Sequence, residues 1–134
     1  MKDSDKILVD TSAWIEFFRK KDPYYMVILE LIDTSKVCCL GIILAELLQG
    51  AKSQKELDVL KEFLHVFDFL PESTEMWKNA GELSYLLRQK GKSVGLSDCY
   101  ISVVANTNDA ILLTLDRHFE VIEKETGLIL YGFT

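Results

Sequence analysis

The sequence predicts a three-layer α/β domain in which helices cover both faces of a mostly parallel sheet. Short apolar runs alternate with longer amphipathic segments along the chain, a pattern typical of parallel strands joined by helical crossovers. The chain has 134 residues, and 49% of them are hydrophobic, which is enough for one domain with a substantial core. Because no linker or internal repeat interrupts the pattern, residues 1–134 are predicted to form a single domain.

Five short apolar runs are predicted to be strands. The first run ends at Asp10, and the fourth run likewise ends in an acid, Asp116. Pro71 should end the third run, because proline has no N–H to donate to a strand ladder. The predicted strands are 6–9, 36–40, 67–70, 110–115 and 128–133.

Apolar residues at helical spacing, together with capping residues, predict the helices between these strands. Thr11 or Ser12 is expected to cap the first helix. Ser53, followed three residues later by a glutamate, forms a capping box. Ser97 is expected to cap the helix that carries Asp98 in its first turn. The predicted helices are 11–20, 22–34, 42–48, 53–64, 74–89, 97–105 and 119–125.

The composition and the N-terminal sequence argue against a membrane protein, a secreted protein and a protein that coats nucleic acid. No apolar run reaches the roughly 20 residues of a membrane-spanning helix, and the N-terminus lacks the pattern of a secretory signal, so a cytoplasmic location is expected. The three cysteines show no metal-binding spacing and are predicted to be reduced core residues. A net charge of −6 argues against non-specific coating of nucleic acid. It does not exclude a nuclease, because acids around a divalent ion are partly neutralised by it.

Four acidic residues lie beside apolar runs at separated places in the chain. They are Asp10 in ILVDTSAW, Glu46 in IILAELLQG, Asp98 in GLSDCYISVVA and Asp116 in LLTLDRHF. A desolvated carboxylate is costly unless a cation compensates it. Parallel strands end at a common edge, where the following helices begin, so these acids can converge there.

Convergent carboxylates indicate a site for a hard divalent cation. Oxygen ligands without cysteine or histidine suit Mg²⁺ or Mn²⁺ rather than zinc. Asp10, Asp98 and Asp116 are the expected ligands, while Glu46 binds a second ion or orients the attacking water. Such a site fits phosphodiester hydrolysis, and all four acids are therefore candidate catalytic residues.

Each acid taken alone has an ordinary structural explanation, with one exception. Asp98 fits an N-terminal helix-dipole partner, Asp116 fits a helix cap, and Asp10 fits a strand-to-helix turn. Glu46 lies among Ile, Leu and Ala on a helix and has no such explanation. Ser12 and Thr114 flank the acids and are expected to hold waters or orient carboxylates, although capping and strand propensity explain them almost as well.

The four acidic segments resemble the signature segments of PIN-domain ribonucleases, particularly VapC-type toxins of type II toxin-antitoxin systems. The resemblance covers nearly the whole chain, and it includes Arg88 and Gly91 before the third segment and Phe119 after the fourth. It implies a PIN-like, Rossmann-like sheet, Mg²⁺-dependent endonucleolytic cleavage of RNA, a homodimer and an inhibitory antitoxin encoded alongside. With RNA as the implied substrate, Arg88 and Lys92 are candidate RNA contacts.

One position departs from the family pattern. His118 stands where many members carry a further acid, which implies a weaker second-metal site than in some members. His118 itself is expected to be a surface or loop residue rather than a catalytic base.

Three other classes compete with the nuclease interpretation. A phosphotransfer receiver needs a phosphorylatable aspartate after its third strand, which here ends in LPES. A phosphatase of the haloacid dehalogenase type needs a second aspartate two residues after Asp10, where Ser12 stands. A catalytically silent PIN-fold module that binds RNA or protein would have no reason to keep all four acids, and a metal-dependent RNA cleavage assay distinguishes it.

Overall fold

A computed structural model describes residues 6–133 and contains one parallel sheet of four short strands. The strand order across the sheet is β3-β2-β1-β4, and all three pairings are parallel. In the centre, Ile7 pairs with Val37 on one side and with Ile111 on the other. The strands are β1 (Ile7–Val9), β2 (Val37–Cys39), β3 (Asp68–Phe69) and β4 (Ile111–Leu113).

Helices flank this sheet and supply its crossovers. The helices of the described part of the chain are α1 (Thr11–Phe18), α2 (Tyr24–Asp33), α3 (Gly41–Gln49), α4 (Gln54–His65), α5 (Thr74–Gln89), α6 (Leu96–Thr107) and α7 (His118–Thr126). The predicted three-layer α/β class is therefore confirmed. The strands β1 and β2 are buried throughout, because helices shield both faces of the sheet.

Two predicted helix caps are wrong, and both are at helices that begin near a candidate site acid. Asp10, not Thr11 or Ser12, is the N-cap of α1, since its extended backbone lets its carbonyl accept the Trp14 N–H at 3.0 Å. Gly95, not Ser97, is the N-cap of α6. Neither cap uses a side chain, whereas Ser53 caps α4 as predicted, through the Glu56 N–H at 3.1 Å.

The prediction of a last strand over residues 128–133 is also wrong, because this segment does not form a continuous strand. Only Leu130 forms a bridge, with Leu112, although two backbone hydrogen bonds of 2.8 and 2.9 Å hold the segment against β4. Beyond the bridge the chain docks through aromatic rings, because Phe133 packs against Tyr24 with ring centroids 5.0 Å apart. These ring contacts replace a continued ladder.

The core is continuous across both helical layers. Trp14 of α1 is completely buried, and its indole packs edge-on against the Phe63 ring of α4 at 5.6 Å. The cysteines Cys38, Cys39 and Cys99 are buried and free, as predicted. Within residues 6–133, no helix has the length and apolarity needed to cross a membrane.

Candidate active site

The carboxyl ends of β1 and β4 bring two predicted acids to one edge of the sheet. Asp10 directly follows β1, and its N–H donates to the carbonyl of Leu113, the last residue of β4, at 2.9 Å. Asp116 follows β4 by three residues. Because this backbone bond ties the two strand ends together, the two acids leave the sheet side by side.

The carboxylate of Asp10 is buried, and hydroxyl groups hold it in place. Asp10 is 5% exposed, and its Oδ2 accepts hydrogen bonds from Thr114 Oγ1 at 2.8 Å and from Ser12 Oγ at 3.2 Å. Burial raises the pKa of Asp10 above its ordinary value, while the two hydroxyl bonds oppose the rise. No Lys or Arg among residues 6–133 forms an ion pair with it. A buried carboxylate without a cationic partner is the environment that a metal ion would stabilise.

Ser12 and Thr114 also fix the backbone around the site. Ser12 Oγ accepts the Leu115 N–H, and Thr114 Oγ1 accepts the Asp116 N–H, each at 3.0 Å. The two hydroxyl oxygens lie 3.2 Å apart. They thus join the turn after β1 to the turn after β4 and orient the carboxylate of Asp10. Their predicted contribution to catalysis stays a prediction.

Asp98, Asp116 and His118 form a compact set of possible metal ligands. One ligand atom from each residue lies within 4.8 Å of the others. His118 is exposed in the first turn of α7, with Nδ1 2.9 Å from Asp116 Oδ1, an oxygen that also accepts the His118 backbone N–H. The prediction of a surface position for His118 is confirmed, but its contact with Asp116 was not predicted.

The electrostatics of Asp98 connect it to the three other candidate acids, although the compact set of possible ligands includes only Asp116 and His118 beside it. Burial is the largest effect that raises the pKa of Asp98 to about 6, followed by the negative charges of Asp116 and Asp10. The imidazole of His118 lowers this pKa, and the carboxylate of Glu46 raises it slightly. Asp98 therefore lies within electrostatic range of all three other acids, which repel one another unless a cation is present.

Glu46 reaches the site from α3 and is held by a residue that sequence reasoning treated only as a possible cap. Thr11 Oγ1 donates to Glu46 Oε1 at 2.8 Å, which links the first residue of α1 to α3. Glu46 is half-buried and has a second carboxylate oxygen with which to meet a ligand. The sequence feature that could have indicated this contact is the hydroxyl residue directly after Asp10.

The donor set fits a divalent cation that prefers oxygen. The carboxylates of Asp98 and Asp116 and the imidazole of His118 lie close enough to share one ion, and Asp10 and Glu46 lie within electrostatic range of Asp98. Mg²⁺ suits the carboxylates, while a nitrogen ligand is accepted more readily by Mn²⁺.

Predicted site residues line two depressions. A groove of about 670 Å³ lies between α1, α3 and α4, and Glu46 forms part of its wall. A recess of about 220 Å³ lies at the C-terminal end of α5, and both predicted RNA contacts, Arg88 and Lys92, line it. The predicted site residues thus fall into an acidic centre and a separate basic recess.

Comparison with known proteins identifies the family. Residues 7–125 match the model of the PIN domain. The chain belongs to the PIN domain family. Ribonuclease VapC1 of Methanocaldococcus jannaschii is similar to this PIN domain, with 28% identity over 131 residues covering 97% of this chain and 90% of the relative. The tRNA(fMet)-specific endonuclease VapC of Salmonella typhimurium is 29% identical over 122 residues, covering 87% of this chain and 92% of the relative.

Solved structures agree with this PIN domain assignment. The DNA-bound VapBC of Salmonella typhimurium matches with a TM-score of 0.76 and 26% identity, covering 94% of this chain and 96% of that chain. VapBC2 of Rickettsia felis, bound to a DNA fragment from the promoter, matches with a TM-score of 0.75 and 24% identity, covering 96% and 98%. The PIN-like fold and the resemblance to VapC proteins are confirmed.

Proposed function

We propose that this PIN domain is an endoribonuclease that requires a divalent metal ion, and that it is the toxin of a toxin-antitoxin pair acting in the cytoplasm. The observation that carries the proposal is the cluster of Asp98, Asp116 and His118, with Asp10 and Glu46 within electrostatic range of Asp98. The names of the VapC relatives, a ribonuclease and a transfer-RNA endonuclease, support RNA as the substrate.

The candidate acids would provide the metal ligands and the group that orients water in a hydrolytic site. Asp98 and Asp116 would hold Mg²⁺, or Mn²⁺ as a substitute, together with the hydroxyl-bound Asp10. A bound divalent cation polarises a phosphoryl oxygen and lowers the pKa of water. Glu46, with one oxygen held by Thr11, is placed to orient the attacking water through its other oxygen. His118 is exposed beside Asp116.

The proposal predicts RNA cleavage by the purified protein in Mg²⁺ or Mn²⁺ and none in chelator. Since water rather than the neighbouring 2′-hydroxyl is the proposed nucleophile, the products should carry no cyclic phosphate. Gel analysis of total RNA, with chemical analysis of the product ends, is the measurement. Cleavage that persists in chelator, or cyclic phosphate ends, would contradict the mechanism. RNA binding without cleavage in either metal would instead support the silent binding module.

The groove beside Glu46 supports an antitoxin segment as the partner. Its floor is apolar, with Ile15, Phe18 and Val59 at least one-third exposed. Arg19, Lys52 and Lys55 are also among its lining residues. We therefore expect an antitoxin segment with apolar side chains and flanking acids, which would cover Glu46 when bound. The VapBC neighbours are toxin-antitoxin complexes of the same fold.

Val59→Asp is expected to weaken inhibition by the antitoxin about tenfold or more, because the bound segment would desolvate an unpaired carboxylate. RNA cleavage without antitoxin should be unchanged. Titration of the antitoxin into the cleavage assay measures the effect. Val66→Asp is the matched control, since Val66 is 74% exposed at the end of α4 and does not line the groove. Equal inhibition of both variants and the wild type would show that the antitoxin binds elsewhere.

Homodimerisation also stays a proposal, supported by a second apolar surface. Trp77 and Tyr85 are exposed two turns apart on α5, and Leu96 is exposed at the start of α6. Between them, a Cβ built at Gly81 would meet no atom, which leaves room for a close helix. One self-complementary face of this kind suits a two-fold dimer.

A further inference from the structure

The recess at the C-terminal end of α5 is lined by polar and cationic residues. Its walls are Ser84, Arg88, Lys92, Ser93 and Val94, and its volume is about 220 Å³. No acid lines it, although the chain as a whole carries a net charge of −6. A recess that gathers two cations and two hydroxyl groups offers only donors and positive charge to a ligand, apart from the lone pairs of the serines.

Within residues 6–133 the two cations of the recess form no ion pair, whereas the lysine between them in sequence does. Lys90 Nζ lies 2.8 Å from Glu125 Oε1 and 2.9 Å from Oε2, so its charge is directed to α7. Neither Arg88 nor Lys92 forms an ion pair within residues 6–133. Of these three cations, Lys90 therefore forms an ion pair with α7, whereas Arg88 and Lys92 line the recess.

The recess adjoins the helix that carries Asp98. Burial and then the charge of Asp98 raise the pKa of the Cys99 thiol, and hydrogen bonding by the side chain of Ser84 lowers it, so Ser84 lies beside the first turn of α6. Val94 directly precedes Gly95, the N-cap of α6, where no side chain satisfies the first N–H groups. The positive end of α6 therefore adds to the charge of the recess. Ser84 and Val94 thus connect the recess to the segment that carries Asp98.

We propose that Ser84, Arg88, Lys92 and Ser93 form a subsite for a phosphate of the RNA backbone, next to the phosphate that is cleaved at the acidic centre. This proposal rests on the proposed nuclease function. The guanidinium of Arg88 presents two parallel N–H donors to phosphate oxygens, while Lys92 contributes a point charge. The serine hydroxyls donate to the remaining oxygens. Binding one backbone phosphate here would position the strand across Asp98 without reading its bases.

The test measures RNA binding rather than cleavage. A labelled single-stranded RNA is titrated with the wild type, Arg88→Ala, Lys92→Ala and Lys90→Ala over a range of NaCl, in Ca²⁺, with the RNA checked to be intact. Each recess variant should lower the slope of log affinity against log salt by about 0.7, the value for one lost phosphate contact on a single strand. Lys90→Ala removes the same charge from the same segment, but it should leave the slope unchanged.

Inorganic phosphate distinguishes the RNA backbone from a free anion as the ligand. At constant ionic strength, phosphate should weaken RNA binding by the wild type and have no effect on the Arg88→Ala/Lys92→Ala double variant. If phosphate raises the melting temperature of the wild type alone while all RNA slopes agree, the recess binds a free anion and the RNA assignment is overturned.

The outcome also separates this subsite from the nuclease proposal. Equal slopes in all variants, with metal-dependent cleavage intact in the wild type, would overturn the subsite and leave the nuclease. Reduced slopes in the two recess variants, with no cleavage by the wild type in any metal, would support the recess as an RNA-phosphate site and overturn the nuclease.

Discussion

Asp10→Asn is expected to lower RNA cleavage more than about a hundredfold, which corresponds to about 2.7 kcal/mol of transition-state stabilisation. The amide keeps an oxygen that can accept the hydrogen bonds of Thr114 and Ser12, so the fold should persist. It loses the negative charge that a divalent cation requires. Initial cleavage rates in saturating Mg²⁺, with circular dichroism to check folding, are the measurement.

Asp33→Asn is the matched control for this variant. Asp33 is exposed at the end of α2, so the same change of group there should leave the cleavage rate at the wild-type level. Near wild-type cleavage by folded Asp10→Asn would refute the assignment of Asp10 as a metal ligand.

Asp98→Asn is expected to raise the melting temperature in chelator at neutral pH. The pKa of Asp98 is raised from its ordinary value of 3.8 to about 6, mainly by burial and then by the charges of Asp116 and Asp10. The folded protein therefore holds a proton that the unfolded chain releases. Below about pH 4 the carboxyl is neutral in both states and has no destabilising effect. Its unfavourable contribution develops as the pH rises from about 4 to about 6, and it is fully present above that interval.

The amide removes the charge whose burial and repulsion raise this pKa. Thermal melts in chelator should therefore agree for the two proteins near pH 4 and differ by several degrees at pH 7.5, with the variant higher.

Mg²⁺ should reverse that order. Ligand binding to the native state stabilises the wild type by roughly 1.4 to 2.7 kcal/mol at ten to a hundred times the dissociation constant. The variant has lost a ligand and should gain less. Equal Mg²⁺ shifts in both proteins, together with a less stable variant in chelator, would mean that Asp98 only stabilises the N-terminus of α6.

The common position of Asp10 and Asp116 could be predicted because the sheet topology determines it. Once β1 and β4 are recognised as parallel strands, Asp10 and Asp116 must lie at the same edge, and the helices that begin there can bring Asp98 and Glu46. The hydrophobic periodicity locates the strands and their ends, and this is enough to predict which acids share an edge without knowledge of side-chain contacts. For the same reason, the order of helices and strands was predictable along most of the chain.

Local geometry was not predictable, because it depends on single backbone angles and on contacts distant in sequence. The extended backbone makes Asp10 the N-cap of α1 in place of Thr11 or Ser12, and Thr11 Oγ1 binds Glu46 instead. Lys90, but not Arg88, forms an ion pair within residues 6–133, because Glu125 lies beside Lys90 in the fold although it is 35 residues away along the chain. Neither feature leaves a pattern in the local sequence.

The most direct test of the central claim is to map new RNA 5′ ends in cells that express the wild type or Asp10→Asn without antitoxin. The account predicts that the wild type produces recurrent ends at a defined position in one class of RNA, and that these ends are absent with an equal amount of Asp10→Asn. The same ends in both samples, or no new ends with a folded wild type, would contradict an endoribonuclease built on these four acids.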